Sequence, residues 1–175
     1  MYRKLERALL SVIRRVSAAA LRRALKLVER SKRYKWLQRR LQSVLKDFDR
    51  LTKAYAPIAE KLKDDLKLAR ELAREAKKEC KDRECKKQIT DLVRTMERLV
   101  GYWEGERFDK LFLEYNNLLK AKVGKIPKSH RQKLTEVRDK LIRAVERHAL
   151  PKLERILRKL WDVVEDVRKK EKEAR

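Results

Sequence analysis

Helix-breaking residues are scarce in this chain, and that scarcity restricts the fold more than any other feature. The 175 residues include 3 Gly and 3 Pro, and the first of each are Gly101 and Pro57. Long stretches consist of Leu, Ala, Lys, Arg and Glu, which have strong helix propensity. No run alternates polar and apolar residues over the length of a strand. The sequence predicts an all-α, elongated multi-helix bundle of five to seven amphipathic helices, with a long basic N-terminal helical arm.

The N-terminal segment has the clearest helical pattern, because its apolar residues recur at spacings of three and four. They are Leu5, Leu9, Val12, Val16, Ala20, Ala24, Leu27 and Val28. We expect one helix here, a bend at Ser31-Lys32-Arg33, and a second helical stretch that ends at Pro57, since the residue before Pro avoids helical geometry. The chain then divides into a basic helical arm or hairpin, 1–56, and a helical bundle, 57–175, or forms one continuous domain.

Helical spacing continues after Pro57 with two interruptions. The segment Lys77 to Lys87 is nearly all polar, and we expect it to project as a solvated stalk or to break. Gly101 and Gly105 are expected to bracket a connection between helices.

Three local features are expected near the C-terminus. Ser129 and Gln132 have the spacing of a capping box at the start of a helix. Pro151 is expected to kink that helix or to start a new one. The polar tail from Arg168 is expected to fray.

Positive charge is concentrated near the N-terminus. The chain has 51 Lys and Arg against 27 Asp and Glu, a net charge of +24. Residues 1–55 hold 17 basic and 4 acidic side chains, a net of +13. Such an excess destabilises a compact state unless a polyanion neutralises it. Phosphate backbones are the commonest polyanions in cells and anionic membrane surfaces come second, so the charge predicts the phosphate backbone of DNA or RNA as partner.

Cations on one face of the N-terminal helix are the first candidates for phosphate contact. On a continuous helix they fall within a sector of roughly 80° and form a ridge about 44 Å long. These candidates are Lys4, Arg15, Arg22, Lys26, Arg30 and Arg33.

The following segment interleaves aromatic rings with cations. Its further candidates are Tyr34, Lys35, Trp36, Arg39 and Arg40. Cations in such a segment can pair with phosphates while a ring stacks on a base or a sugar. In the alternative interpretation, Tyr34 or Trp36 packs in the core and the cations solvate the surface of a helix.

The segment Arg143-Ala144-Val145-Glu146-Arg147-His148 has an Arg-x4-His spacing. Over these six residues it resembles the motif of the HEPN ribonucleases, a family of small helical bundles. In that family the Arg and His of two protomers compose a metal-independent RNA-cleaving site, and the resemblance implies that role for Arg143 and His148. A polar residue often follows the Arg in the family, whereas Ala144 stands there in this chain.

Other residue patterns speak against metal sites and catalysis. Cys80 and Cys85 would lie about 140° apart on a helix, so we expect two free thiols and no disulfide without unwinding. No Cys or His pair nearby completes a zinc site. The sequence has no Gly-rich phosphate loop and no nucleophile elbow. We therefore predict no cofactor, no metal and no enzymatic activity.

The N-terminus does not resemble a secretory signal, because Arg14 and Arg15 interrupt the apolar residues. No run approaches the roughly 18 apolar residues of a membrane-spanning helix, so we expect no integral membrane association. The predicted location is the cytoplasm or the interior of a nucleoprotein particle or virion. The abundance of charged residues and the scarcity of Asn, Gln and Met indicate a hyperthermophilic source.

These patterns together predict a structural, sequence-nonspecific nucleic-acid-binding protein that coats or compacts DNA or RNA, as a subunit of a homo- or hetero-oligomer. In general design it is similar to the helical coat proteins of archaeal filamentous viruses. One alternative is an accessory RNA-binding subunit of a larger ribonucleoprotein complex, such as the small helical subunits of CRISPR effector complexes. Others are a HEPN-like ribonuclease and a peripheral membrane protein that uses the N-terminal amphipathic helix.

Overall fold

Seven α-helices form a bundle in the computed structural model, which describes residues 2–104 and 107–174 and, within these, not the side chain of Glu104. In chain order they are α1 (Tyr2–Arg15), α2 (Ala18–Glu29), α3 (Gln38–Lys78), α4 (Arg83–Glu104), α5 (Phe108–Leu119), α6 (Lys128–Ala144) and α7 (Leu150–Glu173). A 3-10 turn, Lys35–Leu37, precedes α3, and a π turn, Val145–Ala149, joins α6 to α7. The described residues include no strand, so the all-α bundle is confirmed.

The N-terminal segment is a helical hairpin, which corrects the expectation of one continuous helix. Ser17 is the N-cap of α2, where its hydroxyl accepts a hydrogen bond from the Ala20 amide at 3.4 Å. Val16 adopts a φ of 47°, a left-handed conformation that β-branched residues rarely take. Its side chain is buried, so packing holds this backbone. Because α2 turns back and packs on α1, the predicted continuous ridge does not form.

Helix α3 is 41 residues long, or about 60 Å at a rise of about 1.5 Å per residue. It passes through Pro57 without ending, so the expected end at this residue is wrong. Proline inside a helix costs about 3 kcal/mol, and the buried side chains of Leu51, Tyr55, Ala59 and Leu62 on both sides of it offset that cost. Helix α3 runs across residue 56, and the division of the chain there stays a prediction.

The polar segment between α3 and α4 breaks into a turn, one of its two expected outcomes. The carboxylate of Asp82 accepts a hydrogen bond from the Cys85 amide at 2.8 Å and thereby caps α4. Cys80 and Cys85 form a disulfide, with 5.6 Å between their Cα atoms. The expectation of two free thiols is therefore wrong, because it placed both residues on one continuous helix.

Helix α4 extends through Gly101 to Glu104, so Gly101 does not begin the expected connection. Gly105, the other glycine of that expectation, lies outside the described residues.

The start of α6 is also corrected. The N-cap is Pro127, and no side chain caps the helix, so the predicted capping box does not form. The Ser129 hydroxyl instead hydrogen-bonds Glu79 and the imidazole of His130. The Arg131 guanidinium closes the preceding turn by donating to the carbonyl oxygens of Gly124 and Ile126, each at 2.8 Å.

Pro151 lies at the start of α7, just after the π turn, so it begins a new helix, one of its two expected outcomes. A proline ring clashes with the carbonyl four residues before it, and an inserted π turn relieves such a clash by shifting the hydrogen-bond register. In this π turn the Leu150 amide donates to the Val145 carbonyl, five residues back.

The end of α7 docks on α1 and on the segment before α3 through ion pairs whose carboxylates are buried or half-buried. The carboxylate of Glu171 accepts a hydrogen bond from the Tyr34 hydroxyl and lies 2.8 Å from Nη2 of Arg33. Burial, and then the bond to Glu171, raise the pKa of Tyr34 to about 12. Arg168 pairs with Glu6 of α1. The tail from Arg168 is therefore helical and docked, which corrects the expectation that it frays.

Tyr34→Phe should lower the free energy of unfolding at neutral pH by about 1.5–3 kcal/mol, since it removes a hydrogen bond to a charged group. The Tyr34 pKa rises on folding from 10.0 to about 12. The hydroxyl's contribution is thus fully present below about pH 10 and is lost as the pH rises toward about 12. Urea unfolding at several pH values should show the gap between the two proteins narrowing over that range. Tyr102→Phe is the control, and a pH-independent gap would contradict the prediction.

Reducing the disulfide should lower the free energy of unfolding by about 2 kcal/mol, because a short closed loop restricts the unfolded chain. The loop joins residues five positions apart. Thermal unfolding with and without a reductant measures this effect, and a Cys80→Ser, Cys85→Ser double variant should not respond to the reductant. If the wild-type melting temperature is equally insensitive, the disulfide does not stabilise the fold.

Candidate nucleic-acid interface

The solvent-facing sides of α1 and α2 are almost wholly cationic. Leu5, Leu9 and Val12 turn the apolar side of α1 into the core, which leaves its basic residues outside. Nine basic side chains of the hairpin are exposed, and we call them the hairpin cations: Arg3, Lys4, Arg7, Arg14, Arg15, Arg22, Arg23, Lys26 and Arg30.

Few carboxylates lie near enough to neutralise the hairpin cations. Residues 2–30 contain two of them, Glu6 and Glu29. Glu6 is engaged by Arg168 of α7, and Glu29 is exposed. Among the described residues, Arg22 is the one hairpin cation with an ion pair, at 4.0 Å from Asp49. A solvated helix surface usually mixes both signs of charge, whereas this one is nearly all positive.

The structure divides the eleven residues predicted to bind nucleic acid into two groups. Six keep an exposed cation without an ion pair in the described residues: Lys4, Arg15, Lys26, Arg30, Lys35 and Arg39. Five are engaged within the protein: Arg22, Arg33, Tyr34, Trp36 and Arg40.

The two aromatic rings pack inside the protein. Tyr34 is 2% exposed. Trp36 is half-buried, and the ammonium of Lys170 lies 4.0 Å from the centroid of its ring, a cation–π contact. The prediction that Tyr34 stacks on a base or a sugar is therefore wrong. Helix α7 covers the ring of Trp36 through this contact. The alternative, in which these rings belong to the packing of the protein, describes the segment better.

Arg39 and Arg40 line a cavity of about 350 Å³ between α3 and α7, together with Lys159. Arg40 pairs with Asp166 at 2.7 Å, and Lys159 pairs with Asp47 at 2.6 Å. Arg39 alone of these three cations has no ion pair in the described part of the chain. Carboxylates of the protein therefore neutralise most of the positive charge that lines this cavity.

A second basic region, which the sequence analysis missed, lies between the C-terminal half of α3 and α4. The two helices border an open groove of about 520 Å³. Its basic side chains, which we call the groove cations, are Arg70, Arg74, Lys77, Lys78 and Arg94. Their spacing along α3 places four of them on one side of the helix. That spacing was the available signal, but acidic residues at Glu71, Glu75 and Glu79 cancel much of the segment's net charge.

Arg143 and His148 lie on the surface at the end of α6 and in the π turn. Neither has a hydrogen bond or an ion pair within the described residues. Next to them, Glu146 accepts a hydrogen bond from the Tyr115 hydroxyl at 2.9 Å. Burial, followed by this bond, raises the pKa of Tyr115. Within one protomer, no described side chain orients the imidazole of His148.

No helix in the described residues is long and apolar enough to cross a membrane. The apolar side of α1 packs in the core, so it is not exposed to enter a lipid interface. The described residues also contain no cluster of three or more His, Cys, Asp or Glu that could hold a metal ion.

No protein-family model matches the chain, and neither a curated protein nor a solved structure is significantly similar to it. The assignment of a function therefore depends on the residues and their geometry.

We predict that wild-type protein and His148→Ala both leave structured RNA intact, because no described group positions His148 to accept or donate a proton. The measurement is a gel assay of labelled RNA hairpins under conditions in which a control ribonuclease cuts them. Cleavage by the wild type that His148→Ala and Arg143→Ala both abolish would instead support the HEPN-like alternative.

Proposed function

We propose that this protein binds the phosphate backbone of DNA or RNA, without preference for base sequence, as a structural subunit that coats or compacts nucleic acid. The observation that carries this proposal is the set of nine hairpin cations, beside which Glu29 is the one exposed carboxylate of the same two helices. Duplex DNA presents one negative charge per roughly 1.7 Å of its axis. Such a ligand would neutralise the mutual repulsion of the hairpin cations.

Arginine predominates in the hairpin, where it supplies seven of the nine cations. The guanidinium group donates two parallel hydrogen bonds to phosphate oxygens and stays charged at any physiological pH. These contacts go to the backbone and carry no base information. Apart from the half-buried Tyr2, the described surface of the hairpin offers no aromatic ring or amide side chain that would read base edges, which supports binding independent of sequence.

The size of the hairpin supports an assembly rather than a single bound subunit. Helix α1 has 14 residues and α2 has 12, so the cationic surface is about 20 Å long and spans about six base pairs. Several subunits are needed to cover a longer duplex. Apolar side chains are also exposed, with Leu113 at 57%, Leu119 at 50% and Trp161 at 43%. Such residues support contacts between subunits of a homo- or hetero-oligomer.

We also propose a hyperthermophilic source and a location in the cytoplasm or inside a nucleoprotein particle. Disulfides are rare in intracellular proteins of mesophiles but frequent in those of hyperthermophiles. The Cys80–Cys85 disulfide and the high content of charged residues, 45%, are compatible with this combination.

Salt dependence tests the proposed function. Contacts to 6–8 phosphates give a plot of log affinity against log salt with a slope of roughly −5 to −7 on duplex DNA. A hairpin variant with Arg15, Arg23, Lys26 and Arg30 changed to Gln should make that slope shallower by about 3 to 4, because each lost phosphate contact removes about 0.9. Fluorescence anisotropy with a labelled duplex, at several salt concentrations, measures the slope.

The matched control has the same change in net charge at exposed positions of α7, with Lys152, Arg155, Arg158 and Lys169 changed to Gln. This control should keep the wild-type slope. Equal losses in both variants would mean that net charge alone, rather than the hairpin, determines binding. An affinity that is flat between about 50 and 200 mM salt, or a roughly thousandfold preference for one sequence, would exclude backbone binding as the mechanism.

A further inference from the structure

Two bonds within the protein link the walls of the open groove between α3 and α4. At one end, Nε of Arg70 donates to Oε1 of Glu97 at 2.8 Å, across from α3 to α4. At the other end, the Cys80–Cys85 disulfide fixes the turn that joins the two helices. These two links hold the walls of the groove at a defined separation before any ligand arrives.

Four of the groove cations have no counter-charge in the described residues. Arg74, Lys77 and Lys78 project from α3, and Arg94 projects from α4. Glu97 is the one carboxylate that lines the groove, and it is engaged by Arg70. The acidic residues of the same part of α3 lie on another side of the helix, where Glu75 is 3.7 Å from the imidazole of His130. The groove therefore attracts anions.

The floor of the groove distinguishes a polyanion from an amphipathic helix as its ligand. Of the apolar residues that line the groove, Ile89 is fully buried, Ala73 is 6% exposed and Val93 is half-buried, so one apolar side chain keeps part of its surface exposed. A helix that docks in a groove gains its affinity mainly from burial of apolar area. Five cations around a floor with so little exposed apolar surface are better suited to phosphates.

We propose that this groove is a second binding site for a nucleic-acid backbone, separate from the hairpin cations. From Arg70 to Lys78 the groove is about 12 Å long, which matches the axial rise of three to four base pairs, at about 3.4 Å for each phosphate of one strand along the duplex axis. The site stands on its own geometry. Its consequence, that one subunit holds two nucleic-acid segments at once, rests on the proposed function of the hairpin.

The two basic surfaces lie far apart along α3. Arg22 of the hairpin approaches α3 at Asp49, and the groove begins at Arg70, about 30 Å further along the helix axis. One duplex segment bound at the hairpin therefore leaves the groove available for another.

A bridging assay with the full-length chain tests the second site. A biotinylated duplex of 20 base pairs on beads is saturated with protein and then offered a fluorescent duplex of the same length. Wild type should capture the second duplex. A groove variant, with Arg74, Lys77, Lys78 and Arg94 changed to Gln, should bind the first duplex within about threefold of wild-type affinity but capture the second at least tenfold less. The α7 control variant should behave as wild type.

A second measurement isolates the groove from the hairpin. The hairpin variant keeps five of the nine hairpin cations, so it should retain weak duplex binding with a shallower salt slope than wild type. Adding the groove substitutions to that variant should make the slope shallower by about a further 3, since each of three to four lost phosphate contacts removes about 0.9. Circular dichroism checks that each variant keeps its helix content.

The outcomes separate this inference from the proposed function. Capture of the second duplex by the groove variant at the wild-type level would show bridging by self-association and would overturn the second site. A salt slope of the hairpin variant that does not change when the groove substitutions are added would overturn it as well, as would groove-dependent binding of an acidic helical peptide in place of DNA. If the groove variant loses all binding while the hairpin variant binds as wild type, the groove site stands and the proposed hairpin function fails.

Discussion

Helix α3 packs against α2, α4, α6 and α7, and it can do so because its side chains are sorted by direction around its axis. Over its last three turns, at about 100° per residue, buried residues such as Ala69 and Ala73 fall in one sector of roughly 80°. The groove cations of α3 occupy the adjacent sector of roughly 100°, and Glu71, Glu75 and Glu79 occupy the sector that follows it. The apolar sector packs in the core, the basic sector borders the groove, and the acidic sector approaches α6 at His130 and Ser129. Residues 70–79 hold four basic and three acidic side chains, so their net charge is small, although the two sets lie on different sides of the helix.

The use of carboxylates inside the protein explains why the unpaired cations collect on the hairpin and in the groove. Four ion pairs join α7 to the N-terminal half of the chain: Arg33–Glu171, Arg40–Asp166, Lys159–Asp47 and Arg168–Glu6. Each of them places a carboxylate between helices, where it stabilises docking. Two of the four acidic residues among the first 55 are engaged in this way. The outward sides of α1 and α2 are left with cations and almost no counter-charge.

The apolar spacing of the sequence predicts most helices, the buried side of α1 and the bend after α2, because these depend on residues near in sequence. The breaks depend on tertiary packing instead. Pro57 predicts the end of a helix, but burial of Tyr55 and Ala59 keeps the helix continuous. The alanines after Ser17 continue the helical pattern of the sequence across the hairpin turn.

The charge of residues 1–55 locates the hairpin surface, but the partners of its individual cations are distant in sequence. Asp166 is 126 positions from Arg40, and Glu171 is 137 from Tyr34, so no local pattern could show that these candidates are engaged. The sequence did not predict the groove, because its cations alternate along α3 with acidic residues. These acidic residues lie on another side of the helix, which the net charge of the segment does not show.

Two separated basic surfaces on one subunit would make the proposed function depend on the ratio of subunit to nucleic acid. When subunits are in excess over nucleic acid, every segment is occupied through its nearest cationic surface, and the second surface of each subunit finds no unoccupied backbone. The product is then a coat, in which excess positive charge keeps neighbouring filaments apart. When nucleic acid is in excess, the second surface of a bound subunit meets unoccupied segments of the same nucleic acid. Binding to such a segment is intramolecular and takes place at a high effective concentration. Under the proposed function, coating and compaction are therefore two regimes of the same arrangement, and the ratio of subunit to phosphate selects between them.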